Sequence, residues 1–214
     1  YTRISAGTSL LAVVLPSIVG VISYALEGNV DLLMAVLLAA GSIFGAPIGS
    51  WLLTVLPHRL VQWGFIAFIV AVIVSLFVVI PSRDAVVDIN WLLGLGLVAL
   101  GLFTGIMSGL LGIGGGVIIV PLLVVIFGTS DLVAKGTSLL VVIATGLSGT
   151  WANLRRRNVD PPASLVIGAA AAVATPLGVW IAHALDPAVA NIVFAVFLAL
   201  VILRMLIDVL RQKK

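Results

Sequence analysis

The chain has 214 residues, of which 62% are hydrophobic and only 9% are charged, and it contains no cysteine. Such a composition excludes an ordinary soluble domain, and several apolar runs reach the roughly 20 residues that a membrane-spanning helix needs. The lack of cysteine excludes disulfides, thiol catalysis and iron–sulfur clusters. The small positive charge sits in short loops, which argues against a nucleic-acid partner. The sequence therefore predicts an all-α polytopic membrane protein in contact with the lipid bilayer.

The apolar runs and the charged connections between them predict the topology. Six membrane spans are predicted, at residues 7–25, 31–55, 60–80, 136–153, 161–184 and 188–209. Connections rich in positive charge face the cytoplasm, and those are residues 154–158, 58–59 and 211–214. The connections without net positive charge, at 27–31, 83–88 and 186, are predicted to lie outside. A multi-pass protein of a prokaryotic cytoplasmic membrane, with a cytoplasmic C-terminus, is the expected localisation.

A longer apolar run, residues 91–128, contains the glycine-rich stretch Gly-Leu-Leu-Gly-Ile-Gly-Gly-Gly-Val-Ile-Ile-Val-Pro at 109–121. Since the predicted topology places both ends of the run outside, it has to reverse, and the turn is expected near Gly112–Gly116. Two full crossings and a re-entrant pair both satisfy this constraint. Non-helical backbone at membrane depth requires a protein cover or a wet cavity.

An internal repeat divides the chain into two halves. Gly-Thr-Ser-Leu-Leu occurs at 7–11 and again 129 residues later at 136–140, and Asn-Val-Asp at 29–31 recurs at 158–160 with the same offset. The matching loops carry opposite charge, which indicates inverted-topology repeats. The predicted organisation is a first repeat at 1–80, an external loop at 81–90 and a second repeat at 91–214. The first repeat lacks a counterpart of the glycine hairpin, so we expect one upstream of Tyr1.

These motifs resemble the TauE/SafE family of sulfite exporters. The resemblance is carried by the glycine motif at 105–121, the Lys-Gly-Thr-Ser at 135–138, the basic loop that ends in Asn-Val-Asp, and the Pro-x-Gly at 176–178. It covers both halves of the chain and departs from the family in the missing first glycine motif. The resemblance implies a secondary transporter, an exporter in direction, of small sulfur-containing anions such as sulfite, sulfoacetate or other organosulfonates. The alternatives are a transporter of another small anion or metabolite, and a non-transporting assembly or sensor subunit.

Glycines and hydroxyl residues are the candidate substrate ligands. Backbone N–H groups at a glycine turn, and the positive ends of broken helices, bind anions without a buried cation. Hydroxyls beside the turn can donate further hydrogen bonds. The candidates are Gly112, Gly114, Gly115, Gly116, Gly136, Thr137, Ser138, Gly7, Thr8 and Ser9, and the glycine turn is expected to meet both Gly-Thr-Ser motifs. Helix capping at the start of a span explains one copy of Thr137 and Thr8, whereas the duplication of the motif favours a ligand-binding role. Close helix packing is the favoured role of the ladder Gly101, Gly105 and Gly109.

The remaining features are interpreted structurally. Pro47, Pro121 and Pro176 are predicted to be structural or hinge positions inside spans. No ionisable residue lies at the middle of a predicted span, and no nucleophile–base pair or metal-ligand set is visible, so we expect no enzyme, cofactor or metal. Lys135 either attracts anions to the mouth of a pathway or extends to the interface as an ordinary lysine. A homodimer is among the assemblies that the sequence allows.

Overall fold

A computed structural model describes residues 2–78, 90–112 and 114–211 of the chain, and the predicted external loop at 81–90 lies almost entirely outside the described residues. Within these ranges the chain is helical. The helices are α1 (Thr2–Ala12), α2 (Val14–Leu26), α3 (Leu32–Val55), α4 (His58–Val78), α5 (Trp91–Leu111), α6 (Gly116–Phe127), α7 (Asp131–Arg155), α8 (Pro161–Ala184) and α9 (Pro187–Arg211). The expectation of an all-α membrane protein is confirmed.

Local sequence signals set the ends of several helices. The side chains of Asp31 and Asn90 each accept a hydrogen bond of 2.9 Å from the backbone N–H three residues later, which caps α3 and α5. Asp160 caps α8 in the same way, at 3.2 Å. The short break between α1 and α2 is at Val13, three residues before Pro16, which lacks the N–H that would bond to the carbonyl of Ala12 at the end of α1.

Six helical stretches in the described residues are long and apolar enough to cross a membrane: Ile4–Leu26, Leu32–Val55, Trp91–Leu111, Asp131–Arg155, Pro161–Ala184 and Pro187–Ile207. Two further apolar stretches, Leu60–Ser75 and Gly116–Phe127, are shorter. The 12 residues of α6 extend only about 18 Å, against a hydrocarbon thickness of about 30 Å. The hairpin is therefore asymmetric, with one full-length helix and one short one, rather than either symmetric form that the sequence allowed.

Glycines hold α3 and α5 in close contact. A side chain at Gly105 would meet the backbone of Ser42 and Gly45 on α3, and a side chain at Gly101 or Gly109 would overlap α3 carbonyl groups in the same way. The packing role predicted for this ladder is confirmed. Helix α8 is the counterpart of α3 in the second half. At the repeat offset of 129, its small residues Ala170, Ala174 and Gly178 match the glycines of α3 that face α5, and all three are exposed. A described helix therefore covers the row of small residues on α3 but not the matching row on α8.

The two halves interlock through the repeated motifs. The hydroxyl of Thr137 accepts a hydrogen bond of 3.0 Å from the backbone N–H of Asp31, and the hydroxyl of Thr8 accepts one of 3.0 Å from the N–H of Asp160. A side chain at Gly136 would overlap the carbonyl oxygen of Asn29, and one at Gly7 would overlap that of Asn158. Each Gly-Thr-Ser therefore packs against the Asn-Val-Asp of the other half. The first contact lies near the beginning of α7 and the second near its end, as inverted repeats require.

The equivalent helices α4 and α9 pair with each other. Phe65, Ile69 and Val72 of α4 form a buried apolar cluster with Ala195 and Leu198 of α9. Leu111 and Val117 from the ends of α5 and α6 pack against this cluster. The pair therefore lies beside the glycine hairpin and forms one side of the space described next.

Candidate functional site

A cavity of about 440 Å³ lies between α2, α6 and α7, and is completed by parts of α4, α8 and α9. Its volume suits a small molecule. Most of its lining side chains are apolar. The lining residues that carry polar side chains or lie at a helix start are Ser17, Tyr24, Ser75, Gly116, Asp131, Lys135, Ser138, Thr175 and Asn191.

The glycine turn directs the start of α6 into this cavity. Gly112, Gly114 and Gly115 have φ angles of +72°, +77° and +85°, a region in which residues with a side chain are strained. Helix α6 then begins at Gly116. The first N–H groups of a helix have no acceptor within that helix. A Cβ atom at Gly116 would lie 3.9 Å from the hydroxyl oxygen of Ser138, so the two residues face the same part of the cavity. A helix N-terminus and a hydroxyl are thus adjacent.

Two hydroxyl groups hold the turn in place. Ser9 donates a hydrogen bond of 2.6 Å to the carbonyl oxygen of Gly112, and the hydroxyl of Thr145 lies 3.1 Å from that of Gly114 and 2.8 Å from the carbonyl oxygen of Val141 in its own helix. Since Thr145 precedes Arg155 by ten residues, this contact lies about 15 Å along α7 from the predicted cytoplasmic end. Sequence reasoning placed Ser9 near the turn correctly but missed Thr145, which has no distinguishing pattern around it.

The structure brings together only part of the predicted substrate set. Gly116 and Ser138 line the cavity. Gly136 and Thr137 lie in the contact with Asp31, whereas Gly7 packs against Asn153 near the other end of α7, about 24 Å away along the helix. The glycine turn meets each Gly-Thr-Ser motif through its serine alone, Ser9 at Gly112 and Ser138 beside Gly116, and the glycines and threonines of the two motifs lie apart in contacts between the halves. The physical reason is the inverted topology, which places equivalent segments toward opposite sides.

Neither Gly-Thr-Ser motif begins a helix. α7 starts at Asp131, five residues before Gly136, and α1 is already helical at Thr2. Thr137 and Thr8 consequently do not cap their own helices; they accept hydrogen bonds from the first residues of helices in the opposite half. The three prolines lie inside helices as predicted, Pro47 in α3, Pro121 in α6 and Pro176 in α8, and Pro121 also lines the cavity.

A charged pair in the cavity wall was not predicted. Lys135 donates to the carboxylate of Asp131 at 2.9 Å, and the Asp131 side chain is only 5% exposed. Tyr24 is buried beside them and packs on His183, with ring centroids 5.3 Å apart. The i, i+4 spacing of the pair on an apolar helix was the available signal. It was not used because both residues lie close to the end of the predicted span.

These features define a polytopic α-helical membrane protein with two inverted repeats and a cavity at a broken helix. A family model described as sulfite exporter TauE/SafE matches residues 2–130 and, separately, residues 97–214. The chain therefore belongs to the TauE/SafE family, and the resemblance seen in its motifs is confirmed. The two matches agree with a two-repeat arrangement.

Curated relatives are named as membrane transporters. The chain is 33% identical over 118 residues to the probable membrane transporter protein YunE of Bacillus subtilis (strain 168), covering 52% of this chain and 43% of the relative. It is 33% identical over 108 residues to the probable membrane transporter protein MJ0441 of Methanocaldococcus jannaschii, covering 48% and 40%. It is 28% identical over 147 residues to the probable membrane transporter protein YdhB of Bacillus subtilis (strain 168), covering 67% and 60%.

The matched segment spans less than two thirds of the length of each of these relatives. No solved structure gives a significant match.

Proposed function

We propose that the chain belongs to a secondary transporter of small sulfur-containing anions, with the substrate bound in the cavity between α2, α6 and α7. The observation that carries the proposal is the start of α6 at Gly116, which lines this cavity next to Ser138. A multi-pass location in a prokaryotic cytoplasmic membrane, with the C-terminus in the cytoplasm, is part of the same proposal.

The chemistry of the cavity fits a small, singly charged oxyanion. The partial positive charge at a helix start and the unpaired N–H groups there attract an anion. The Ser138 hydroxyl donates to the carbonyl of Lys135 in its own helix at 2.8 Å, and by rotating it adds a donor to the anion. Hydrogen bonds to a charged group contribute roughly 1.5–3 kcal/mol each. Two or three such donors replace the water that a sulfonate or sulfite loses on entry, while the apolar remainder of the wall accommodates an organic substituent.

Binding by the purified chain in detergent tests the site. Methanesulfonate is titrated against acetate, which has the same methyl group and charge but a planar carboxylate in place of the tetrahedral sulfonate. Ser138→Ala is expected to weaken methanesulfonate binding by about tenfold, as loss of one such hydrogen bond requires. Gly116→Val is expected to abolish it, because the side chain obstructs the approach to the helix start. Ser23→Ala is the matched control, since Ser23, like Ser138, bonds to a carbonyl of its own helix but is not among the residues that line the cavity.

The outcomes separate the candidate functions. Methanesulfonate binding together with counterflow of the labelled anion in proteoliposomes supports the proposal. Preferential binding of acetate would refute sulfur-containing anions as the substrate class and would favour another class of small anion. Absence of both binding and flux would refute transport and favour a non-transporting membrane subunit.

A further inference from the structure

Asp131 and Lys135 form a charged pair within the wall of the proposed substrate cavity. Among the described residues that line this cavity, these two carry the charged side chains. Their contact is 2.9 Å long, and it joins Lys135 Nζ to Asp131 Oδ2. On a solvated helix surface such an i, i+4 pair contributes only a few tenths of a kcal/mol. The pair lies at the start of α7 beside an apolar cavity, and the Asp131 side chain is only 5% exposed. This position calls for another explanation, because a buried charge is costly unless it is fully paired.

The other carboxylate oxygen of Asp131 is unsatisfied. Asp131 Oδ1 is buried and has no hydrogen-bond partner among the described residues. A buried acceptor without a partner is destabilising, and a carboxylate compensates this by pairing fully or by taking up a proton. Lys135 is less buried, with 28% of its side chain exposed. The lysine can therefore turn toward a ligand in the cavity, whereas the carboxylate stays enclosed.

An anion that binds Lys135 competes with Asp131 for the same ammonium group. An anion that takes the ammonium group of Lys135 leaves the buried carboxylate of Asp131 without its counter-charge, an arrangement that is strongly unfavourable. A proton taken from solution removes that charge. In the overall change, the Nζ–H···Oδ2 bond to Asp131 is replaced by an Nζ–H···O bond to the anion, and one proton from water joins the Asp131 carboxylate. The cavity then holds the anion and one additional proton.

We propose that Lys135 is the cation that binds the transported anion and that Asp131 takes up a proton when the anion displaces it, which couples anion binding to proton binding. This inference rests on the proposed function and adds the coupling ion to it. The pair belongs to the second half alone, because the positions that match Asp131 and Lys135 in the first half are Thr2 and Ala6.

Other groups around Asp131 have to be considered as proton acceptors. α2 contributes Tyr24, which lies within electrostatic range of both Asp131 and Glu27. α8 contributes His183, which packs on Tyr24 and pairs with Glu27. α6 has no titratable side chain, and α4 and α9 contribute the neutral Ser75 and Asn191 to the cavity. The test therefore has to separate Asp131 from His183.

Methanesulfonate binding to the purified chain, measured across a range of pH, tests the coupling. A sulfonate stays ionised throughout this range, so any change in bound protons belongs to the protein. Uptake of one proton with the anion predicts that affinity falls by about tenfold per pH unit as pH rises, over the range in which the complex holds one more proton than the free protein. Asp131→Asn should bind at least as tightly and lose this dependence. Lys135→Met should weaken binding by about tenfold or more.

Two controls complete the design. His183→Gln should keep the dependence on pH, and Asp186→Asn, a carboxylate in the exposed connection after α8, should match the parent. The slope of the parent protein alone is informative even if a variant fails to fold. Binding by the parent without pH dependence, an unchanged slope in Asp131→Asn, or unchanged affinity in Lys135→Met would each overturn the coupling while leaving the proposed function intact. No binding of methanesulfonate by the parent would refute the proposed function and this inference together.

Discussion

Replacing Thr137 with valine should destabilise the contact between the two halves of the protein. Thr137 is fully buried, and its hydroxyl accepts the backbone N–H of Asp31 at 3.0 Å. Valine has nearly the same shape, so the substitution creates no cavity and removes the acceptor alone. Leaving a buried donor unsatisfied costs about 1–3 kcal/mol. We therefore expect the free energy of unfolding to fall by about 1–3 kcal/mol for Thr137→Val and to recover in Thr137→Ser.

Unfolding by sodium dodecyl sulfate in mixed micelles, followed by circular dichroism, measures this loss. Thr8→Val removes the matching hydroxyl of the first half and should cause a smaller loss, because Asp160 is exposed and water can replace the lost acceptor. Thr175→Val is the control, since the hydroxyl of Thr175 bonds to the carbonyl of Ala171 in its own helix. If Thr137→Val unfolds like the parent and like Thr175→Val, the hydrogen bond between the halves does not contribute to stability, and the interlocking argument fails.

Three further outcomes are expected. Gly105→Ala should destabilise the protein by about 1–3 kcal/mol through overpacking against α3. Gly178→Ala, whose Cβ would meet open space, should be neutral or stabilising by up to about 1 kcal/mol. Equal effects of the two substitutions in the same unfolding assay would contradict the close packing of α3 and α5. Asn153→Ala should lower the free energy of unfolding by about 1–3 kcal/mol because the buried amide donates to Ser50 Oγ at 3.0 Å, and unaltered unfolding would show that the bond is dispensable. Single cysteines at Arg156 and Glu27, introduced into a chain that has none, should react with impermeant reagents from opposite sides of the membrane; labelling of both from one side would refute the inverted topology.

The sequence predicted the helices well because membrane spans leave a strong compositional signal. The predicted span at 31–55 became α3 (Leu32–Val55), and the span at 161–184 became α8 (Pro161–Ala184). The short α6 was not predicted, since an apolar run of fixed composition does not reveal where a helix ends inside it. The turn near Gly112–Gly116 was predicted from the charge-derived topology together with the glycines, and the positive φ angles of Gly112, Gly114 and Gly115 explain why glycine is needed there.

The candidate site was predicted less well, for a reason that follows from the repeat itself. Thr137 and Thr8 were chosen because they occur twice, and duplication in an inverted repeat preserves whatever both halves need in order to fold together. Their hydroxyls bond to the opposite half accordingly. Repetition was thus a signal for the scaffold, and it was interpreted as a signal for the ligand.

The residues that differ between the halves identify the cavity. At the offset of 129, Tyr24 matches Asn153, and Lys135 matches Ala6. Tyr24 and Lys135 line the cavity, whereas Asn153 is buried in hydrogen bonds to Ser50 and to the carbonyl of Gly149. A two-fold scaffold alone would present the same groups to both sides of the membrane. A charged pair confined to one half removes this equivalence, so the two sides of the scaffold offer different chemistry to a ligand.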